Sequence, residues 1–352
     1  MRTRLAIVAA ALQVLVLAFM AGEREWVLRF GRPILLRTAP IDPNDPMRGE
    51  YARFNYDINS VPRALWRDGL PDMFPANTYD YRKTRDVRVY AALQVDDSSV
   101  AELVSLSDRR PPEGMFITGR VVSPNSNQLN VRYGIEALFM QQGESQKLED
   151  LRRKDRPSVP LDAEISVNDS GLAVLRGYRW EPLGLNITAE RETLPPTTAG
   201  NQNRRQPAMV ALKIELKNYS TGDVAVVDLP DHRSFRIVND NVGGQEIRYR
   251  WVGANTTAPA PQVGNVVVLK PGQSFSSRID LTQAAWFVVD TKAPAARQQP
   301  MPLREVVDAW SARYRLEYSP PTKAASTGLP QENIIHHGRL RSRAFNPTQT
   351  LD

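Results

Sequence analysis

Asp42-Pro-Asn-Asp-Pro-Met-Arg-Gly-Glu-Tyr-Ala-Arg-Phe-Asn-Tyr56 is a turn-rich lead into an alternating segment. Proline fixes φ at its own position and pushes the residue before it toward extended geometry, so Asp42-Pro43 and Asp45-Pro46 start turns. Gly49 then supplies a position without a Cβ before the chain extends. From Tyr51 the side chains fall on alternate sides, with Tyr51, Arg53, Asn55 and Asp57 on one and Ala52, Phe54, Tyr56 and Ile58 on the other. One side is mainly polar and the other apolar, which predicts a strand with a single buried face.

Gly49-Glu-Tyr-Ala-Arg-Phe-Asn-Tyr56 resembles the octapeptide that names the GDYXXLXY family of membrane-anchored bacterial proteins, and Arg48 and the upstream Asp-Pro pairs match its usual context. Glu50 stands where the signature has aspartate and Phe54 where it has leucine. Thr118-Gly-Arg-Val121 and Tyr133-Gly-Ile-Glu136 resemble later segments of the same family. The resemblance covers about residues 1–156. It implies a membrane address and a β architecture, and it brings no activity with it.

Upstream of the signature, Leu5–Gly22 is an apolar run interrupted only by Gln13 and preceded by Arg2 and Arg4. Its length is near the lower end for crossing a bilayer and also fits a secretory signal. No small-x-small cleavage site sits at its exit, because the third residue before the cut would be Phe19 for a cut after Ala21 and Met20 for a cut after Gly22. The run is therefore read as an uncleaved single-pass anchor. Arg24, Arg29 and Arg32 follow it and weaken the positive-inside asymmetry; the preferred topology keeps the short N-terminus inside, with the body in the periplasm on the outer side of a bacterial inner membrane.

The 352 residues leave room for two ordinary domains after an anchor. The absence of cysteine excludes thiolate chemistry, disulfides and cysteine-based metal sites. The 45 basic and 39 acidic residues give +6 without a concentrated basic face, so no nucleic-acid partner is expected. No cofactor is implied either, since no glycine loop for phosphates occurs.

Twenty-seven prolines and few long helical patterns favour strands and turns. A mostly β chain is expected, with residues 1–26 as the transmembrane helix. Residues 27–156 are read as a small β-barrel-like or curled-sheet domain with strands at Glu25–Leu36, Tyr51–Ile58, Val87–Val95, Phe116–Val122 and Asn130–Phe139. Ser145–Lys154 reads as a helix leading into the charged boundary Arg152–Pro157. Residues 160–318 are read as an immunoglobulin-like β-sandwich, from Val210–Lys217, Val266–Leu269, Phe275–Leu281 and Arg313–Tyr318, with a turn at Leu269-Lys-Pro-Gly272. Residues 319–352 are read as an extended basic tail, and Thr193–Pro207 and Gly253–Gly264 as soft loops.

The chemistry-bearing inventory is short. Of the three histidines, only His232 lies outside the tail, in Asp228-Leu-Pro-Asp-His-Arg-Ser234, where no nucleophile elbow surrounds Ser234. Asp231 and His232 are too few ligands for a stable metal site. A hydrolase would have to draw on Asp42, Asp45, Glu50 and Glu136 beside Arg48 and Arg53, with one carboxyl held neutral. The plainer expectation is that Arg48, Gly49, Glu50, Tyr51, Phe54, Tyr56, Tyr133, Gly134 and Glu136 build the fold. Trp180, Trp251, Trp286 and Trp310 offer a glycan or peptide platform, against which stands the common burial of tryptophan in sandwich cores. The reading preferred over both enzyme and glycan-binding module is a membrane-anchored protein that acts by binding another membrane protein.

Overall fold

The structure, a computed structural model, describes residues 2–39, 51–75, 86–124, 127–139, 143–151, 158–192, 209–240, 248–255, 258–306 and 313–347. The chain is mostly β, with an N-terminal apolar helix. It divides into two compact units: residues 1–148 with 161–179, and residues 149–160 with 180–352.

The first unit opens with α1 (Arg2–Phe30), which is longer than the expected anchor. The predicted strand Glu25–Leu36 is therefore corrected: its first half is helix and only the second half extends. Nothing between Gly22 and Gly31 breaks a helix, and Glu25 and Arg29 form an i,i+4 ion pair of 2.7 Å that supports it. Val27 is fully buried where α1 meets the sheet. Gly31 closes the helix with a bond from its N–H to the Val27 carbonyl at 2.8 Å, and β1 (Arg32–Ala39) starts at the next residue.

The signature segment forms two short strands, β2 (Tyr51–Arg53) and β3 (Asn55–Tyr56), followed by a helical turn at Asp57–Asn59. Its alternation holds: Phe54, Tyr56 and Ile58 are buried while Arg53, Asn55 and Asp57 are exposed. The unit continues through β4 (Ser60–Pro62), β5 (Trp66–Arg67), β6 (Arg88–Val95), β7 (Ala101–Ser107), β8 (Met115–Pro124), β9 (Gln128–Arg132) and β10 (Ala137–Phe139). A six-stranded sheet runs β4-β9-β8-β6-β7-β5. A parallel bridge between Leu35 and Val100 ties β1 to the start of β7, which contributes to a nearly closed, barrel-like arrangement.

Two further strands, β11 (Leu161–Val167) and β12 (Ala173–Trp180), complete a second sheet in the order β12-β11-β1-β3. The boundary expected between residues 156 and 160 is thereby corrected, because the strands after it return to the first unit. β11 runs antiparallel to β1 from Arg32 opposite Val167 to Arg37 opposite Asp162, and Arg37 Nε donates to the buried Asp162 carboxylate at 2.7 Å. The charged stretch Arg152–Pro157 lies outside the described residues, and a short helix at Glu144–Asp150 falls where one was read. The hairpins β6–β7 and β11–β12 turn on one device: Asp96 Oδ1 accepts the N–H groups of Ser98 and Val100, and Asn168 Oδ1 accepts those of Ser170 and Leu172.

The second unit contains β13 (Leu183–Arg191), β14 (Met209–Asn218), β15 (Val224–Val227), β16 (Phe235–Asn239), β17 (Tyr249–Trp251), β18 (Val266–Leu269), β19 (Ser274–Asp280), β20 (Val288–Asp290), β21 (Tyr314–Tyr318) and β22 (Leu340–Arg341). They pair as β13-β14-β19, β15-β18, β16-β21-β22 and β17-β20, with a main apolar core that includes Leu212, Ile214, Leu216, Phe235, Tyr314 and Tyr318 and a smaller one around Ala225, Val227 and Ile335. In the predicted turn, Gly272 takes φ +78° and Gln273 N–H reaches the Lys270 carbonyl at 2.9 Å, the geometry that a Pro-Gly pair favours.

The extended tail expected over 319–352 is also corrected. β22 pairs with β21, Leu340 and Phe345 enter the core, and Tyr314 bridges Phe345. The physical reason is that β21 is short of one neighbour without it, and the alternation of Leu340 with polar residues suits a sheet edge. Thr193–Pro207 lies outside the described residues.

Candidate functional site

The segment Tyr51–Tyr56 and the later segment Tyr133–Glu136 meet in the first unit. β2 runs antiparallel to β10, with Arg53 opposite Ala137 and Tyr51 opposite Phe139, and Phe54 N–H donates to the Glu136 carbonyl at 2.7 Å. Two tyrosines then cross between the segments in opposite directions. The Tyr56 hydroxyl donates to the Ile135 carbonyl at 2.5 Å, and the Tyr133 hydroxyl donates to the Ile58 carbonyl at 2.9 Å. Asn59 adds a third tie, donating from its side chain to the Val131 carbonyl at 2.7 Å. Burial first, and the nearby Glu136 carboxylate second, push both tyrosine hydroxyls far above their ordinary range. Both remain protonated donors at any physiological pH.

Glu136 closes the turn that carries Tyr133. Its carboxylate accepts the N–H of Tyr133 at 2.5 Å and that of Gly134 at 2.9 Å, while Gly134 sits at φ +80°, where glycine is favoured. Both of its oxygens are thus occupied by backbone donors. This commits the carboxylate to the turn and leaves it poorly placed to act on a substrate. Asp42, Asp45, Arg48, Gly49 and Glu50 lie outside the described residues, as does the side chain of Tyr51, while Arg53 is exposed on the polar side of β2.

One prediction follows from the turn. Glu136→Gln keeps the shape and one acceptor but removes the charge, and should lower stability by about 1 kcal/mol in thermal melting. It should also leave the cellular phenotype intact. A variant that melts normally and fails to complement would move Glu136 from scaffold to chemistry.

In the second unit, His232 Nδ1 lies 3.6 Å from Asp228 Oδ1 and 3.3 Å from Ser277 Oγ. A hydrolytic triad needs the acid on one ring nitrogen and the nucleophile on the other, so two neighbours on Nδ1 do not form one. The Asp228 contact, opposed by partial burial, raises the histidine pKa above its usual value. Ser234 is fully buried, donating to the Val227 carbonyl at 2.6 Å and accepting Leu229 N–H at 3.0 Å. It holds the loop rather than presenting a nucleophile. Ser277, far downstream on β19, has no marker in the sequence that would tie it to His232.

His336, read as part of a tail, is buried with Nε2 3.9 Å from the buried Glu181 Oε2, and its backbone N–H donates to the Ala225 carbonyl at 2.8 Å. Among the described residues, no group of three or more His, Asp or Glu is placed to hold a metal ion. Among the described residues, the tryptophans do not line up as an exposed row. Trp286 is buried and stacks on Trp251 with ring centroids 5.6 Å apart, and Trp310 is outside the described residues.

The outer face of β13-β14-β19 carries an open groove of about 490 Å³ lined by Asn186, Thr188, Lys213, Glu215, Ser276 and Arg278. Its charges are already matched: Glu190 takes Lys213 at 3.0 Å and Arg278 at 2.8 Å, and Ser274 Oγ donates to Glu215 at 2.8 Å. The result is a polar, nearly neutral surface of hydroxyl, amide and paired charge.

A family model described as GDYXXLXY protein matches residues 13–177. The match reaches beyond the expected limit of 156 and takes in β11 and most of β12, in agreement with their return to the first unit. No curated protein and no solved structure matches the chain.

Proposed function

We propose that this chain, whose residues 13–177 carry the GDYXXLXY family segment, is a single-pass protein of a bacterial inner membrane that acts by binding another membrane protein. The observation that carries the reading is the joint between helix and sheet. A single residue, Gly31, separates α1 from β1, and Val27 beside it is fully buried, so the first unit is coupled to the helix without a linker. Such a joint suits a protein whose task depends on position at a bilayer. The commitment of Tyr56, Tyr133 and Glu136 to internal bonds supports binding over carboxylate hydrolysis. The buried Trp286 counts against the glycan platform. In the second unit, the polar groove around Thr188 and Ser276 is the surface offered to a partner.

In this reading the body lies in the periplasm. A phosphatase reporter fused after Asp352 should be active, with the protein retained in the membrane pellet after a high-salt wash. Full-length protein carrying a photo-crosslinking residue at Thr188 should capture a membrane protein from intact cells. An inactive reporter would place the body in the cytosol, and a chain that co-purifies with no membrane protein, with or without crosslinking, would remove the binding proposal.

A further inference from the structure

The last two turns of α1 have two unlike faces. Val27 is buried against the first unit, whereas Trp26 and Phe30, four residues apart, are 65% and 67% exposed with ring centroids 4.4 Å apart. Large aromatic side chains left open in this way favour a cover, since the apolar surface each exposes is more stable out of water. They also continue a stripe. Leu12, Leu15, Phe19, Trp26 and Phe30 follow helical spacing and are all exposed.

Lengths decide what the cover is. Leu5–Gly22 rises roughly 27 Å at 1.5 Å per residue, close to the hydrocarbon thickness of about 30 Å. The whole helix of 29 residues rises roughly 44 Å, which is the thickness of a bilayer with its headgroup zones, about 40–45 Å. Trp26 therefore stands about one turn beyond the hydrocarbon edge. Side chains on a helix lean toward its N-terminus, so the ring of Phe30 is carried back onto Trp26 and toward the bilayer. Arg24, Arg29 and Arg32 are exposed around the pair at the level of lipid phosphates, with Glu25 bound to Arg29.

We infer that Trp26 and Phe30 form a seat in the headgroup zone of the bilayer, and that through Val27 and Gly31 this seat fixes the height of the first unit above the membrane. The inference rests on the anchor reading above and adds a contact that a bare transmembrane helix does not have. Gly31 leaves no slack in the connection: a Cβ there would lie 2.4 Å from the Val27 carbonyl oxygen and 3.1 Å from Ser166 Cβ.

The chain has no cysteine, so single-cysteine variants take one spin label each. Full-length protein would be labelled in nanodiscs at Phe19→Cys, Phe30→Cys or the exposed turn residue Glu113→Cys, and collision with oxygen compared with collision with a water-soluble nickel chelate. The seat requires an oxygen-to-nickel ratio at Phe30 severalfold above that at Glu113 and below that at Phe19. Equal ratios at Phe30 and Glu113 would place the ring in water, and a label at Phe30 shielded from both reagents would mean that protein covers it. Either overturns the seat while a high ratio at Phe19 leaves the anchor standing. A low ratio at Phe19 overturns both. Should Phe30→Cys fail to fold, lipids brominated near the headgroup should quench the emission that Trp26→Phe removes, and unchanged emission would overturn the inference.

Discussion

Arg341→Met should destabilise the second unit by about 2–3 kcal/mol, measured as loss of its thermal transition in detergent-solubilised protein. Glu317 in β21 is fully buried, with Arg236 of β16 directly opposite on one side and Arg341 of β22 directly opposite on the other. Arg236 Nε donates to Oε1 at 2.7 Å and Arg341 Nε to Oε2 at 2.8 Å. Burial alone would raise the carboxyl pKa, but the two guanidinium groups outweigh it and hold the group below its usual value. Removing one partner from a buried pair costs about 3–5 kcal/mol in general, and the figure is reduced here because both arginines are partly solvated and one remains. The folded pKa is depressed, so this stabilisation is present above the unfolded carboxyl pKa and is lost as pH falls through the folded value. Glu317→Gln should therefore flatten the acid side of the stability curve. A wild-type melting temperature for Arg341→Met, or an unchanged acid limb for Glu317→Gln, would show that the pair does not clamp β22 to the sheet.

That clamp also shows where sequence reading stops. Periodicity is a local signal, and it located β14, where Leu212, Ile214 and Leu216 are buried and Lys213 is exposed, and the apolar side of the signature at Phe54, Tyr56 and Ile58. Turn chemistry is also local, which is why Pro271-Gly272 was legible. Pairing is not local. Nothing near Leu161 announces that its strand returns to Arg32–Arg37, and a two-residue strand such as β22 has too few positions to show a period. The helix outran its expected end because Glu25, Trp26 and Leu28 suit a helix as well as a strand, and the choice was made by the packing of Val27. For the candidate site, family resemblance pointed to two segments that the structure brings together. The exchange of tyrosine hydroxyls between them leaves no local signal, because Tyr56 meets Ile135 and Tyr133 meets Ile58 across more than seventy residues.

Gly119→Val should be the most damaging single change in the first unit, costing roughly 3 kcal/mol or more by overpacking. Gly119 lies on β8 in the family segment Thr118–Val121, and a Cβ there would come within 2.6 Å of Val131 Cγ1, 2.8 Å of Tyr133 Cδ1 and 2.9 Å of Tyr133 Cε1. Adding a side chain to a strand glycine ordinarily gains about 0.5–1 kcal/mol of backbone entropy. That gain is outweighed, because the Tyr133 ring cannot swing aside without breaking its hydroxyl bond to the Ile58 carbonyl. The lost bond leaves a buried acceptor unpaired, for about 1–3 kcal/mol more. Gly134 is the useful contrast: its φ is +80° but a Cβ would meet nothing within 4 Å, so Gly134→Ala should cost only the left-handed backbone, about 1–2 kcal/mol. Val131→Ala combined with Gly119→Ala should recover part of the loss of Gly119→Ala alone, since it removes one of the two colliding groups. Thermal melting of the four variants tests the order. If Gly119→Val melts with the wild type, or no earlier than Gly134→Ala, then the tyrosine exchange is not what holds the two signature segments together.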